Sequence, residues 1–127
     1  MTAAVSSATD AGSQLGWVEV CSLDDLPRER GAAALVGSHQ VALFRTFDDV
    51  VYAVQQLDPY SGAHVMSRGI VGTRGEAPTV ASPMYKQVFD LRTGACLDGV
   101  GKEPTPLATW PVEVRDGAVF VRCEEPR

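Results

Sequence analysis

Trp17-Val18-Glu19-Val20-Cys21 alternates apolar and polar side chains, the period of two that a half-buried strand requires. Extended runs follow at Ala32–Val36 and Gln40–Arg45, joined by Gly37-Ser38-His39, and at Val50–Val54 after a turn at Asp48-Asp49. Consecutive strands with tight turns predict an antiparallel meander. Before the meander, Ser22-Leu23-Asp24-Asp25-Leu26-Pro27 reads as one capped helical turn, with Ser22 as N-cap and Pro27 as the stop. Farther along, Val88–Leu91 and Ala95–Leu97 flank Thr93-Gly94 as a hairpin, and a loop with Pro104 and Pro106 follows. Trp110–Val114 and Ala118–Cys123 flank Asp116-Gly117, a strong hairpin signal. Strand alternation predicts Trp110, Val112 and Val114 on one face of a single strand, with Glu113 and Arg115 on the other. No long amphipathic helix fits anywhere, so the expected class is all-β, an antiparallel sandwich or barrel.

One stretch, Leu57–Leu91, breaks this pattern. Asp58-Pro59-Tyr60 opens it, Ser82-Pro83-Met84-Tyr85 lies near its end, and the residues between are rich in Gly. Each Pro fixes its own φ and drives the preceding residue into an extended conformation. The stretch therefore predicts two rigid corners aiming side chains at one point. Gly69, Gly72 and Gly75 fit neither a dinucleotide fingerprint nor a phosphate-binding P-loop, and are read as turns.

Composition narrows the function classes. A chain of 127 residues with 45% hydrophobic content is one globular domain with its own core. Met1–Gln14 has almost no large apolar side chain and is expected to be a disordered tail, leaving a domain over residues 15–125. The net charge of −5, without a basic run, argues against nucleic acid or an anionic membrane as partner. The charge is uneven: Arg68, Arg74, Lys86 and Arg92 outnumber Glu76 and Asp90 between Tyr60 and Arg92, while the rest of the chain is acidic. No secretory leader or membrane span is recognisable. The widely spaced Cys21, Cys96 and Cys123 thus read as reduced, structural thiols of a cytoplasmic protein, with Cys21 and Cys123 as candidate neighbours on the first and last strands.

The residues that carry chemistry are few. His39 reads as a solvated turn residue, and His64 has no second His and no Cys at ligand spacing beside it. Ser82 lacks a nucleophile elbow and a neighbouring base, so only a long-range pairing with His64 would activate it.

An antiparallel β domain with two Pro loops near its middle resembles the Rieske iron–sulfur family, in which C-P-H and C-P-x-H loops place two Cys on one iron and two His on the other. Phe89-Asp90-Leu91, Thr93-Gly94, Trp110-Pro111-Val112-Glu113-Val114 and Asp116-Gly117 carry the resemblance further, over roughly Gly16–Cys123, with a degenerate cluster-loop region about residues 57–98. All four ligand positions depart from the family: Asp58 and Tyr60 stand in the first loop, Ser82 and Tyr85 in the second. These residues offer only oxygen, so the chain is expected to hold neither the [2Fe–2S] cluster nor another metal. With Asp-Pro-Tyr and Ser-Pro-Met-Tyr-Lys-Gln in those places, and with Val65–Gly72 and Ala81–Leu97 around them, the chain resembles the small subunits of NAD(P)H-dependent nitrite reductases.

That resemblance implies an accessory subunit for reduction of nitrite to ammonium in nitrate and nitrite assimilation. FAD, siroheme and an iron–sulfur cluster would then lie in its partner, the large subunit. It implies docking through the former cluster loops, with Tyr60, His64, Met66, Arg68, Met84, Tyr85 and Lys86 as candidate contacts. Alternatively, both tyrosines fill the vacated cluster cavity. Two other functions compete: an autonomous Rieske-type ferredoxin, and a stand-alone β binding module.

Overall fold

Val41-Ala42-Leu43-Phe44 is inaccessible to solvent on both faces, although successive side chains of a strand point to opposite sides. Such a strand must lie between two cores, and the rest of the architecture follows from that. The computed structural model describes residues 16–122, so the expected tail, Cys123 and the outer ends of the 15–125 span fall outside the described residues. The described chain runs β1 (Trp17–Ser22), β2 (Arg30–Val36), β3 (His39–Arg45), β4 (Val51–Gln55), β5 (Ile70–Arg74), β6 (Ala77–Ala81), β7 (Val88–Asp90), β8 (Cys96–Asp98), β9 (Thr109–Trp110), β10 (Val112–Arg115) and β11 (Ala118–Arg122). Two 3₁₀ turns, Leu23–Asp25 and Met66–Arg68, interrupt it. The protein is all-β, as its alternation predicts.

The strands form three antiparallel sheets, ordered β1-β11-β10, β2-β3-β4-β9 and β5-β6-β7-β8. The second sheet joins two apolar clusters. Ala32, Ala34, Val36, Val41, Leu43, Val51 and Ala53 turn one way, against Val18, Val20, Val119 and Val121 of the first sheet. Ala42, Phe44 and Val54 turn the other way, against Met66, Val80, Phe89, Leu91 and Leu107. The small sheet β5–β8, which carries the special stretch, is thus anchored by its own apolar face to the central sheet.

Local chemistry explains the joints. Ser22 caps the first 3₁₀ turn: its hydroxyl accepts from the Asp24 N–H, while its own N–H donates to the Asp25 carboxylate. Asp116 and Gly117 both have positive φ, 51° and 81°, as the two-residue turn between β10 and β11 demands.

Three expectations are corrected. His39 begins β3 opposite Val36, and its ring lies 5.4 Å from that of Trp110, so it is a strand residue and not part of the turn. Trp110–Val114 is not one strand: Pro111 breaks it, Trp110 pairs with Ala53 in the second sheet, and Val112 pairs with Val121 in the first. Trp110 is buried while Val114 is exposed, so the predicted common face does not exist. Gly72 is not a turn either. It sits in mid-β5 opposite Thr79, and only Gly75, with φ of 60°, closes the β5–β6 hairpin.

Because Phe44 ties the central sheet to the small one, Phe44→Ala should cost about 3–5 kcal/mol. Urea denaturation should show a lower midpoint with an unchanged slope.

Candidate functional site

The two Pro corners do converge, and the contact between them is a hydrogen bond. The Ser82 hydroxyl donates to Asp58 Oδ2 at 2.6 Å, across 24 residues of sequence. Asp58 is fully buried and Ser82 is 2% exposed, so water does not compete for either group. Asp58 accepts two further hydrogen bonds, from the Ser61 hydroxyl to Oδ2 at 3.0 Å and from the Tyr60 N–H to Oδ1 at 2.9 Å. Its backbone closes the same loop: the Asp58 N–H donates to the Ala63 carbonyl, and the Gly62 N–H donates to the Asp58 carbonyl. Burying a carboxylate is costly unless hydrogen bonds satisfy it, and here three do. Each hydrogen bond to such a charged group contributes about 1.5–3 kcal/mol.

The second loop is organised around Ser82. Its hydroxyl accepts from the Met84 N–H at 3.1 Å, its carbonyl accepts from the Lys86 N–H, and its own N–H donates to the Gln87 carbonyl. The turn so formed pushes Met84 and Tyr85 outward, 46% and 54% exposed, and holds Lys86 at a φ of 69°. Tyr60 behaves differently. Its ring is half-buried, 6.3 Å from that of Phe89 and packed on the second core. Its hydroxyl donates to the Glu103 carbonyl at 2.7 Å and accepts from the Thr105 N–H at 2.8 Å, pinning the Pro104–Pro106 loop. Burial, with the Cys96 thiol 3.4 Å away, pushes the Tyr60 phenol above its ordinary range.

The reading in which both tyrosines fill a common cavity therefore fails, because one braces a neighbouring loop and the other faces solvent. Met66, a candidate contact from the sequence, is fully buried in the second core and leaves the docking set. His64 is exposed, in an isolated bridge with Leu57, and Arg68 is exposed at the end of the second 3₁₀ turn. No hydrogen bond or ion pair among the described residues joins either to the 84–86 turn. Ser82 spends its proton on Asp58, so no imidazole activates it.

Three participants have no counterpart in the sequence reading: Ser61, Cys96 and the 103–105 backbone. Ser61 had a local signal, since Asp-x-x-Ser next to Pro favours side-chain capping of a turn. The contacts of Tyr60 with Cys96 and Glu103 span 36 and 43 residues, and nothing local announces them.

The donor set does not fit an iron–sulfur cluster. A [2Fe–2S] centre needs thiolates, with imidazoles on one iron in this fold, and the four positions hold two phenols, a hydroxyl and a carboxylate. The carboxylate already accepts three hydrogen bonds, and the Tyr60 hydroxyl is engaged by the Glu103 carbonyl and the Thr105 N–H. Among the described residues no three His, Cys, Asp or Glu side chains gather as metal ligands. Cys21 and Cys96 are free, and burial beside Asp25 and Glu19 pushes the Cys21 thiol up to about 11, far from a reactive thiolate.

Residues 16–122 match the family of Rieske-like [2Fe-2S] domains. The chain is 36% identical over 107 residues to the nitrite reductase (NADH) small subunit of Escherichia coli strain K12, covering 84% of this chain and 96% of that one. The solution structure of a nitrite reductase small subunit from Erwinia carotovora superposes with a TM-score of 0.71 at 37% identity, covering 88% of this chain and 85% of the other. A nitrite reductase large subunit from Klebsiella oxytoca contains a stretch 46% identical over 105 residues, covering 83% of this chain but only 11% of that one. With a Rieske-like fold whose ligand positions carry only oxygen donors, and with matches across nearly the full length of such proteins, the chain belongs to the family of NAD(P)H nitrite reductase small subunits.

Proposed function

We propose that this protein is the accessory small subunit of a cytoplasmic NAD(P)H-dependent nitrite reductase, acting by docking on the large subunit through its former cluster loops. The large subunit would carry the FAD, siroheme and iron–sulfur cluster that reduce nitrite to ammonium, and this chain would contribute contact without redox chemistry. The observation that carries this reading is the 82–87 turn. It stands where the family carries its second ligand loop, holds neither Cys nor His, and presents Met84, Tyr85 and Lys86 to solvent. A large tyrosine ring with a polar tip and an adaptable methionine are suited to a protein interface. His64, Arg68 and Lys86 add polar and cationic contacts, and neither Arg68 nor Lys86 forms an ion pair among the described residues. The Klebsiella oxytoca relative supports the choice of partner, because a domain like this one there forms part of a chain named a large subunit. Two free thiols fit a reducing compartment, and no helix among the described residues is long and apolar enough to cross a membrane.

The ferredoxin alternative needs a cluster, and the ligand positions contradict it. The purified chain should be colourless, with no stoichiometric iron or sulfide, and a strong chelator should leave its Tm unchanged. A brown protein whose Tm falls on chelation returns the electron-carrier reading.

Docking predicts that Tyr85→Ala combined with Arg68→Glu weakens binding to the large subunit by roughly 30-fold or more, as loss of an interface anchor does. The variant should keep its Tm, since both side chains are exposed. Titration of the large subunit with wild-type and variant chains checks this, and equal affinity of a folded double variant contradicts it.

A further inference from the structure

Two features of the 82–87 turn run against its own sequence preference. Lys86 has a φ of 69°, a left-handed conformation that an ordinary side chain adopts at a cost. Gln87 is 1% exposed and its Oε1 is buried without a hydrogen-bond partner. The β6–β7 pairing of Ala81 with Val88 closes the base of this turn, and two backbone hydrogen bonds of Ser82 lie within it. Among the described residues, the hydrogen bond that ties the turn to a distant segment runs from the Ser82 hydroxyl to Asp58.

We propose that Asp58 is a positioning residue: its buried carboxylate replaces the shape-holding role of a cluster and, through Ser82, fixes the Met84–Tyr85–Lys86 turn in its presented form. This rests on the docking reading above. The Ser82 hydroxyl has one proton, and Asp58 Oδ2 takes it at 2.6 Å, which turns the oxygen's lone pairs towards the Met84 N–H. The Ser82 carbonyl and N–H then receive Lys86 and meet Gln87, closing the turn. At the other end, Ser61, Tyr60, Gly62 and Ala63 lock Asp58 in its own loop. A carboxylate suits this acceptor position. It takes three donors on two oxygens, whereas an amide has one acceptor oxygen and would aim an NH₂ group at another donor. A metal would hold the two loops by bonds to both. Here the same two positions are joined by a hydrogen bond from the Ser82 hydroxyl to the Asp58 carboxylate.

The test uses the full-length chain, alone and with the large subunit. Ser82→Thr keeps the hydroxyl and Ser82→Val is its isostere without one, so the difference between them reports the hydrogen bond and not volume. In the isolated chain, amide hydrogen exchange at Met84 and Lys86 should be about tenfold or more faster in Ser82→Val than in Ser82→Thr, while β3 amides remain protected in both. Affinity for the large subunit should fall by a similar factor in Ser82→Val and stay near wild type in Ser82→Thr. Asp58→Asn should reproduce the Ser82→Val pattern, and it serves as the second variant if Ser82→Val fails to fold. Equal exchange at Met84 and Lys86 in the Thr and Val variants, or wild-type affinity in Ser82→Val, overturns the proposal. Tyr85→Ala separates the two readings. Full affinity in that variant removes the docking reading, whereas lost affinity there with no Thr–Val difference removes only the role of Asp58.

Discussion

The hydrogen bond from Ser82 to Asp58 is the constraint on which the tip of the molecule depends. It joins two loops that no strand pairing connects, in a site that excludes water from both partners. Without it a carboxylate would lie buried short of a donor, and a serine hydroxyl would be free to turn away from the Met84 N–H. A Rieske-like domain normally solves this problem with a metal centre. In this chain a hydrogen bond between Ser82 and Asp58 joins the two loops, at positions that carry no thiolate or imidazole.

The rest of the structure makes such a tip affordable. The central sheet is apolar on both faces, so the small sheet β5–β8 is fixed to the body through Phe44, Met66, Val80 and Phe89 and not through the tip. Tyr60 extends this anchoring sideways, reaching from the first loop to the 103–105 backbone. The surface left over is small and specific in character: an apolar pair, Met84 and Tyr85, beside the cation Lys86, on a chain that is otherwise acidic. An apolar and cationic knob on an acidic body is suited to recognition. It is not suited to holding a redox centre.

The sequence made part of this legible. β1 and the β10–β11 hairpin show alternation beside turn residues, and β2 and β3 are short apolar runs on either side of Gly37-Ser38. The β5–β6 hairpin was hidden because Gly72 and Pro78, both poor strand residues, sit inside it. The break at Pro111 was hidden for the opposite reason: the alternation of Trp110, Val112 and Val114 continues through it, although the chain changes sheets there. In the site, both Pro corners and the missing ligands could be read directly. Which side chain faces solvent could not, since Tyr60 and Tyr85 look alike in sequence and only long-range packing sends one inward to Phe89 and the other out.

The central claim is that the former ligand loops make contact and do not transfer electrons. The most direct measurement is the amide hydrogen-exchange footprint of this chain on forming a complex with the large subunit. The account predicts slowed exchange concentrated at residues 84–86, with the amides of β3 unchanged. Full-affinity binding with no added protection at 84–86, and protection on another face instead, would contradict it.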